Sequence, residues 1–578
     1  MSYSVTHKQR WLNSSLKTRR RHGRRDRARG ASLFRPIMLD LEDRTLLSTL
    51  VVTNDSDNGL GSLRNQIASA ASGDTITFDN SLVGHTITLT TGELVISRSI
   101  SIIGPGSNRL TISANLNSRV IDVMPGQTPP GIAANSLLDV TIAGLTITLG
   151  RATSSSPHGS QGGGIYASSA DLTLTDVIVA SNEAKGAPGL IGAAGTNGSN
   201  GVDGTNGTNG TSGSAGGSGG GGGAAYGGGI YLVGGDLSMT DSTVASNASF
   251  GGPGGYGGAG GAGGKGGNGS LTLTTAGAGG NGGDAGDGAN GGSGGSGGAG
   301  VGGGVYFAGG TITVVRTLVT SNQAVGGPGG YGGGGGTGGA GGNGSLSANI
   351  ADKSGHGLGG NGGDAGDGGA GGSGGGGGSG LGGGIYVATG SLGVAASILS
   401  DDQARGGTGG AGGNAGAGGV GGSGTRFDIA FSFTVNTLAA PVNGSGGDGG
   451  DAGNGGAGGA GGYAAGGGIY SVGGLVLIAQ SRLTADQAIA GAGGAAGAGG
   501  SAGSGGGGFD FSLTVDVTVN VNISVGASAN QTCDLLIVAD GTQEIINRET
   551  GEPCLACNSS LAFAVLAADQ SGKGGNGG

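Results

Sequence analysis

The chain has 578 residues, 155 of them glycine and 11 proline, so the two together make up about 29%, a level typical of low-complexity or glycine-period chains. Each glycine costs roughly 0.5–1 kcal/mol more to order than alanine, which excludes one large compact core. Residues 1–30 hold ten basic side chains against Asp26, a net of +9; with −10 for the whole chain the remainder carries −19, and so acidic a body argues against nucleic-acid binding.

The basic residues, Lys8, Arg10, Lys17, Arg19, Arg20, Arg21, Arg24, Arg25, Arg27 and Arg29, make residues 1–48 a targeting or processed segment. The apolar run Ala31–Met38 is short and interrupted by Arg35 and Pro36, unlike an ordinary signal sequence. No stretch reaches the roughly 18 apolar residues of a transmembrane helix. Next comes GSLRNQIASAASGD, where Ser62 reads as an N-cap, Leu63, Ile67 and Ala70 share a helical face and Gly73 can end the helix. Such a helix would cover the open end of the sheets that follow. Short β-branched runs succeed it at Thr75–Phe78, Thr86–Leu89, Leu94–Ser97, Ser99–Ile103, Leu110–Ser113, Arg119–Val123, Val140–Ile142 and Leu145–Leu149, with turn signals such as Gly104–Gly106 between them. Residues 49–161 form this unit.

From Gly162 the chain repeats. GGGIYASSADLTLTDVIVASNEA has counterparts starting at Gly227, Gly302, Gly382 and Gly466. Each copy reads as one coil of three short strands, too small to bury its own apolar face; stacked coils bury a continuous core with about 4.8 Å between strands. Ile165, Ile230, Val305, Ile385 and Ile469 should form one inward column. The expected fold is therefore all-β, a right-handed single-stranded parallel β-helix, with the repeated coils over residues 162–490.

Between coils the glycines become periodic. Pro253, Tyr256, Ala259, Ala262, Lys265 and Asn268 interrupt Gly251–Gly269 at every third position; Pro328, Tyr331, Thr337, Ala340 and Asn343 do so in the next arm, and Asn281, Asp284, Asp287, Asn290, Ser293, Ser296 and Ala299 on a returning leg. Period three matches a polyproline-type helix rising about 3.1 Å per residue, here of polyglycine-II type. Its X side chains lie on one edge and its two glycine faces can pack against neighbours. Collagen would need three chains and more proline. A disordered linker would not keep a strict period, although closing even a floppy loop of about 50 residues costs only about 3.5 kcal/mol. Antiparallel legs in one chain fit best.

The tips between the legs differ most. They start at Ser270, Ser345 and Arg426, and the last is Phe509–Val525, whose alternation predicts a half-buried strand. Residues 491–578 hold the last arm. It ends in SGKGGNGG, matching the GGNGG that opens returning legs at Gly279 and Gly359, so the chain is expected to continue beyond Gly578 into a further coil. Cys533, Cys554 and Cys557 fall one ligand short of a zinc site. His7, His22, His85, His158 and His356 are remote from them in sequence, and a local disulfide with one spare thiol is expected.

The GGGIY and GGGVY coils resemble polymorphic outer-membrane-protein repeats, whose paired signals are GGA[ILV] and FxxN; the second signal stands here as VASN, VTSN, LSDD and LTAD. The segment GSLRNQI…GDTITF…GPG…LTIS…GLTIT resembles the N-terminal part of bacterial right-handed β-helix surface proteins. LEDRTLLS at Leu41–Ser48 resembles the start of exported proteins of planctomycete-type bacteria. The arms are similar to mycobacterial PE-type glycine-rich repeats, but the helical N-terminal domain of that group is missing. The resemblance implies an exported structural or adhesive protein of the cell envelope or outer-membrane surface, or a secreted one. Its partners would be cell-surface or matrix components, polysaccharide among them.

Many parallel β-helices act on polysaccharides, and a degenerate carbohydrate-active protein is the alternative. Glycosidases need two carboxylates about 5–10 Å apart. Asp401–Asp402 and the Gly-His-Gly around His356 superficially match pectin hydrolases, but the companion Asn-Thr-Asp and Arg-Ile-Lys are missing, and Asp402 takes the repeat position of Asn182. No catalytic or cofactor-binding residue is assigned. The remaining candidates are acidic: Asp284, Asp287, Asp364, Asp367, Asp448 and Asp451 recur in NGGDAGDG and GGDGGDAG. Two on one leg stand about 9 Å apart, too far to chelate one ion. Stacked between arms they would form columns spaced about 5 Å, where calcium would relieve repulsion. Solvated acid that keeps a glycine surface soluble is the plainer role.

Overall fold

The computed structural model describes residues 47–125, 137–270, 279–345, 360–424 and 446–498, and the backbone of Cys533–Ile537 and Gln543–Asn547. The basic segment up to Leu46, the tip strand expected at Phe509–Val525, His356, Cys554 and Cys557 lie outside the described residues. Cys533–Ile537 pairs antiparallel with Gln543–Asn547; every other strand pair among the described residues whose register is defined runs parallel.

Ser62 caps a helix at Leu63–Ser69, accepting from the Asn65 N–H, and Leu63 and Ile67 are buried against the first strands. The helix stops before Gly73, at Ala70, where the backbone turns extended; Gly73 instead makes the turn that follows, with φ +93°. The predicted strands follow, with Val140–Ile142 and Leu145–Leu149 fused into one bent strand, Leu138–Thr148, that carries Gly144 at φ +62°.

Each repeat then contributes strands to three stacked sheets. Ile165–Ser168, Ile230–Val233, Val305–Phe307, Ile385–Val387 and Ile469–Ser471 stack in a 7-stranded parallel sheet. The alternating segments build a 15-stranded sheet and the last short strands a 6-stranded one. This arrangement is compatible with a parallel β-helix. Ile165, Ile230, Val305, Ile385 and Ile469 fall in register; the first four are fully buried and Ile469 packs partly buried against the same core. A 4-stranded sheet of two-residue strands, Ala225–Tyr226, Gly300–Val301, Gly380–Leu381 and Ala464–Ala465, returns each arm to its next coil.

The corners between strands use left-handed residues that are not glycine. Asp176, Asp241, Arg316, Ala396 and Gln480 turn one corner and Ser181, Ser246, Ser321, Asp401 and Ala485 the next, all with φ between 47° and 58°. Each costs on the order of 1 kcal/mol, offset by the residue after it. After the first corner Ser242, Thr317, Ser397 and Ser481 each accept an N–H from the coil before. After the second, Asn182, Asn247, Asn322, Asp402 and Asp486 form a ladder. The Asn182 Nδ2 donates to Asn247 at 2.9 Å, the Asn247 Nδ2 to Asn322 at 3.0 Å and the Asn322 Nδ2 to Asp402 at 2.9 Å, and the Asp402 N–H to Asp486 at 2.9 Å. Asp402 thus has the structural place that its repeat position implied.

The two aspartates differ from the asparagines in one atom. Asn247 and Asn322 also donate from Nδ2 to a carbonyl of the preceding coil, whereas the buried Oδ2 of Asp402 and of Asp486 has no partner. Burial pushes Asp402 up to about 8 and Asp486 to about 6, so both favour the neutral form, whose proton restores the donor that Nδ2 supplies. A carboxyl raised in the folded state contributes stability that is fully present below the unfolded value near 3.8 and is lost as pH climbs to the folded value. Stability, and with it the melting temperature, should therefore fall as pH rises from 4 to about 6 for Asp486 and to about 8 for Asp402, by up to about 1.4 kcal/mol of stability per pH unit per group, and Asp402→Asn should flatten that fall. Parallel pH–melting curves for the two proteins would rule the assignment out.

Candidate functional site

The arms are ordered first by their backbone. In the triplet Gly254-Gly255-Tyr256 the Gly254 N–H donates to the Pro328 carbonyl on the next arm, the Gly255 N–H to Gly220 on the preceding arm's returning leg, and Gly255 accepts from Gly295 on its own returning leg. Tyr256 accepts from Gly192, and each of the four bonds is 2.8 Å. One turn of chain thereby ties four neighbouring legs, in a period of three that recurs through all the described arms. A Cβ at Gly254 would sit on the Gly295 oxygen and one at Gly255 on the Leu190 oxygen. The third position of the triplet faces outward, and Tyr256 and Tyr331 stack there, half exposed, with centroids 5.2 Å apart.

The first arm shows why glycine is needed by breaking the pattern. Its middle positions are Ala187, Leu190, Ala193, Thr196, Ser199 and Val202, where later arms place the glycines that pack on a preceding arm. No arm precedes it among the described residues, so Leu190 is free to stand 83% exposed. Three of the N–H groups that would otherwise lack an arm partner are met by hydroxyls of its own returning leg: Thr196 donates to Ser214, Ser199 to Thr211 and Val202 to Thr208, each at 2.7 Å.

Side chains at the third position supply a further ladder. Residue N–H groups there donate to an Asn, Asp or Ser oxygen one arm back: Ala262 to Asn197, Asn281 to Asn206, Asn361 to Asn281. The predicted acidic residues belong to it. Asp364 donates to the Asp284 Oδ1 at 3.0 Å and Asp448 to Asp364 at 2.8 Å; Asp367 donates to Asp287 at 3.0 Å and Asp451 to Asp367 at 2.8 Å. The two columns exist, therefore, with one oxygen of each bonded carboxylate accepting a backbone N–H. No group of three or more His, Cys, Asp or Glu among the described residues is arranged to hold a metal ion. Bridging calcium predicts a higher melting temperature of the arms with calcium than with chelator; equal temperatures would leave the ladder and solubility as the carboxylates' roles.

The same ladders measure the arms. Outgoing legs are related by 65, 75, 80 and 84 residues from one arm to the next, and returning legs by 75, 80 and 84. An outgoing leg keeps the offset of the coil it leaves, and a returning leg that of the coil it enters. The second arm is thus ten residues longer than the first, 75 against 65, while its legs stay in register residue for residue. All of that added length lies at the tip.

A second cluster sits on the coils and was not foreseen. The outward column beside the buried isoleucines runs Val95, Asp122, Tyr166, Tyr231, Tyr306, Tyr386, Tyr470. The tyrosines stack with centroids 4.8–5.6 Å apart, and His158 closes the stack 4.1 Å from Tyr166. Burial, with the neighbouring phenols, pushes Tyr231 up to about 12. His158 meets Asp122 at 3.1 Å, and the second, buried Asp122 oxygen has no partner. Arg119, fully buried, donates to the carbonyls of Gln161 and Gly162 and to Glu93 at 2.6 Å, and lies 5.1 Å from the Tyr166 ring centre. Burial raises Glu93 despite the Arg119 charge. A histidine braced by a carboxylate can take or give a proton, and this is the one part of the described coils where such a pair meets a second carboxylate.

Against known proteins, no protein family, curated protein or solved structure matches the chain.

Because a Cβ at Gly330 would sit on the Gly255 oxygen, Gly330→Ala should lower arm stability by about 1–3 kcal/mol, whereas Thr337→Ala, at the outward position, should leave it unchanged. Amide exchange of the arm backbone reads both, and equal effects would contradict the packing account.

Proposed function

We propose that the chain is an exported structural or adhesive protein of the cell envelope or surface, not an enzyme. In this reading a right-handed β-helix carries polyglycine-II-like arms as rigid spacers, and the variable tips contact surface or matrix components, polysaccharide among them. The single observation that supports it is the confinement of added length to the tips while the legs stay in register. A spacer needs constant geometry below and tolerates variation only at its end. The likeness of the coils to outer-membrane-type repeats and of LEDRTLLS to planctomycete-type export segments supports the location. No helix among the described residues is long and apolar enough to cross a membrane.

Fractionation tests the reading: native protein should be recovered with the envelope or the medium, and protease on intact cells should trim the tips before the coils. Cytoplasmic recovery would defeat it. The His158–Asp122 pair beside Glu93 favours a second reading, a degenerate carbohydrate-active protein. Polysaccharide turnover that is lost in His158→Ala, with unchanged melting, would establish that one instead.

A further inference from the structure

The arms are unusually rich in Asn-Gly pairs, the sequence in which a side-chain amide is most open to attack by the next backbone nitrogen, since glycine has no Cβ to shield it. In that reaction the glycine nitrogen bonds to the asparagine Cγ, the Cγ–Nδ2 bond breaks and ammonia leaves with the amide proton. Water then opens the five-membered imide to aspartate or isoaspartate. The attack needs a free glycine N–H and an asparagine side chain able to swing towards it.

The arm array removes both. After Asn197 the Gly198 N–H donates to Ala262, after Asn206 that of Gly207 to Asn281, after Asn268 that of Gly269 to Asn343, and after Asn281 that of Gly282 to Asn361, at 2.8–2.9 Å. Each of these four asparagines is also pinned by its Oδ1, which accepts from Ala262, Asn281, Asn343 and Asn361 in turn, at 2.9 Å. Ring closure there would break two inter-arm bonds at once, and an isoaspartate would insert an extra backbone atom into a strict period of three.

Asn58-Gly59 is built in the opposite way. Both residues are exposed, Gly59 has φ +96° and open space around its Cα, and its N–H has no hydrogen-bond partner among the described residues. Asn58 is held only by a 3.3 Å bond from Nδ2 to Thr91. It also sits where a change would be felt: Asp57 beside it pairs with Arg64 at 2.7 Å and accepts from the Thr90 and Thr91 N–H groups, and the Gly59 carbonyl accepts from Ser62, the cap of the helix over the first strands.

We propose that Asn58 is a site of spontaneous, imide-mediated conversion to aspartate and isoaspartate in the folded protein, and that the arm array withholds the same chemistry from the Asn-Gly pairs that a following arm covers, Asn197, Asn206, Asn268 and Asn281 among them. An extra backbone atom at Asn58 displaces Gly59 from Ser62 and loosens the capping helix. Conversion thus marks the age of the molecule at its first coil while the covered Asn-Gly pairs of the arms stay intact.

Peptide mapping of the full-length protein aged at mildly alkaline pH tests this, with parallel samples in denaturant. In the native protein Asn58 should convert at least about ten-fold faster than Asn197, Asn206, Asn268 and Asn281, as expected where local opening limits the reaction; in denaturant the five rates should converge. Amide exchange in Leu63–Ser69 should quicken as conversion proceeds, and Asn58→Gln should abolish that change. Arm asparagines that convert natively at their denatured rate, or an Asn58 that resists in the native state, would overturn the proposal.

Discussion

The structure depends on one constraint: each backbone N–H that points along the stack must find the carbonyl of the corresponding residue one coil on. In the coils that requirement makes parallel sheets, with Ile165 facing Ile230 and Tyr166 facing Tyr231. It does not end where the strands end. Gly186 donates to Phe250 and Gly189 to Pro253 in continuation of the coil pairing, so the arms are the same stack extended sideways. A chain that leaves the coil keeps its register because its neighbour left at the equivalent residue. An unpaired buried amide would cost on the order of 1–3 kcal/mol, and a leg one residue out of phase would forfeit such bonds at every turn.

The composition follows from that constraint. Coils can bury side chains between sheets, so they use Ile, Val and Leu. Arms have no interior wide enough for a side chain, because the legs touch through their backbones. Close to two of every three residues are then glycine, with Ala285, Ala289, Ala365 and Ala415 among the small exceptions that the legs accommodate, and the stabilisation that a core would give comes from hydrogen bonds, each worth a net of only about 1 kcal/mol but repeated in every triplet. The first arm follows the same rule at its boundary: where no neighbour lies beyond among the described residues, Leu190 and Val202 replace glycine and Ser214, Thr211 and Thr208 cap three of the N–H groups left over.

Much of this was legible in the sequence. The five-fold GGGIY repeat located the coils and the inward column, and the strict period of three located the legs, because both signals are local and periodic. The acidic columns were predicted from the period as well, though not their bonding: that Asp364 donates to the Asp284 carboxylate depends on which face each leg presents, which spacing alone does not define. The Glu93, Arg119, Asp122 and His158 cluster was missed for a different reason. Its members come from the unequal early coils, where no repeat aligns them, and only the pairing of Asp122 with Tyr166 brings the four together. The weak available signal was Asp122, a charged residue within an otherwise apolar strand.

Stacks of this kind distribute stability as a sum over neighbours, and the polar ladders give that sum a direction. From Asn182 to Asn322 each rung donates two ways, along the ladder and to a carbonyl of the coil before. At Asp402 and Asp486 the second donor exists only while the carboxyl keeps its proton. The second of those rungs belongs to the last coil described, where Ile469, Val476 and Ile478 are also less buried than Ile385, Leu392 and Val394. The early coils are held by a core and by neutral amides, which do not titrate. The fourth repeated coil keeps a full core, but its rung and the next are acids whose neutral state reflects burial itself. Loosening either rung admits water, water favours the charged form, and the charged form loosens the rung further, so these two rungs couple the packing of their coils to pH where the amide rungs do not.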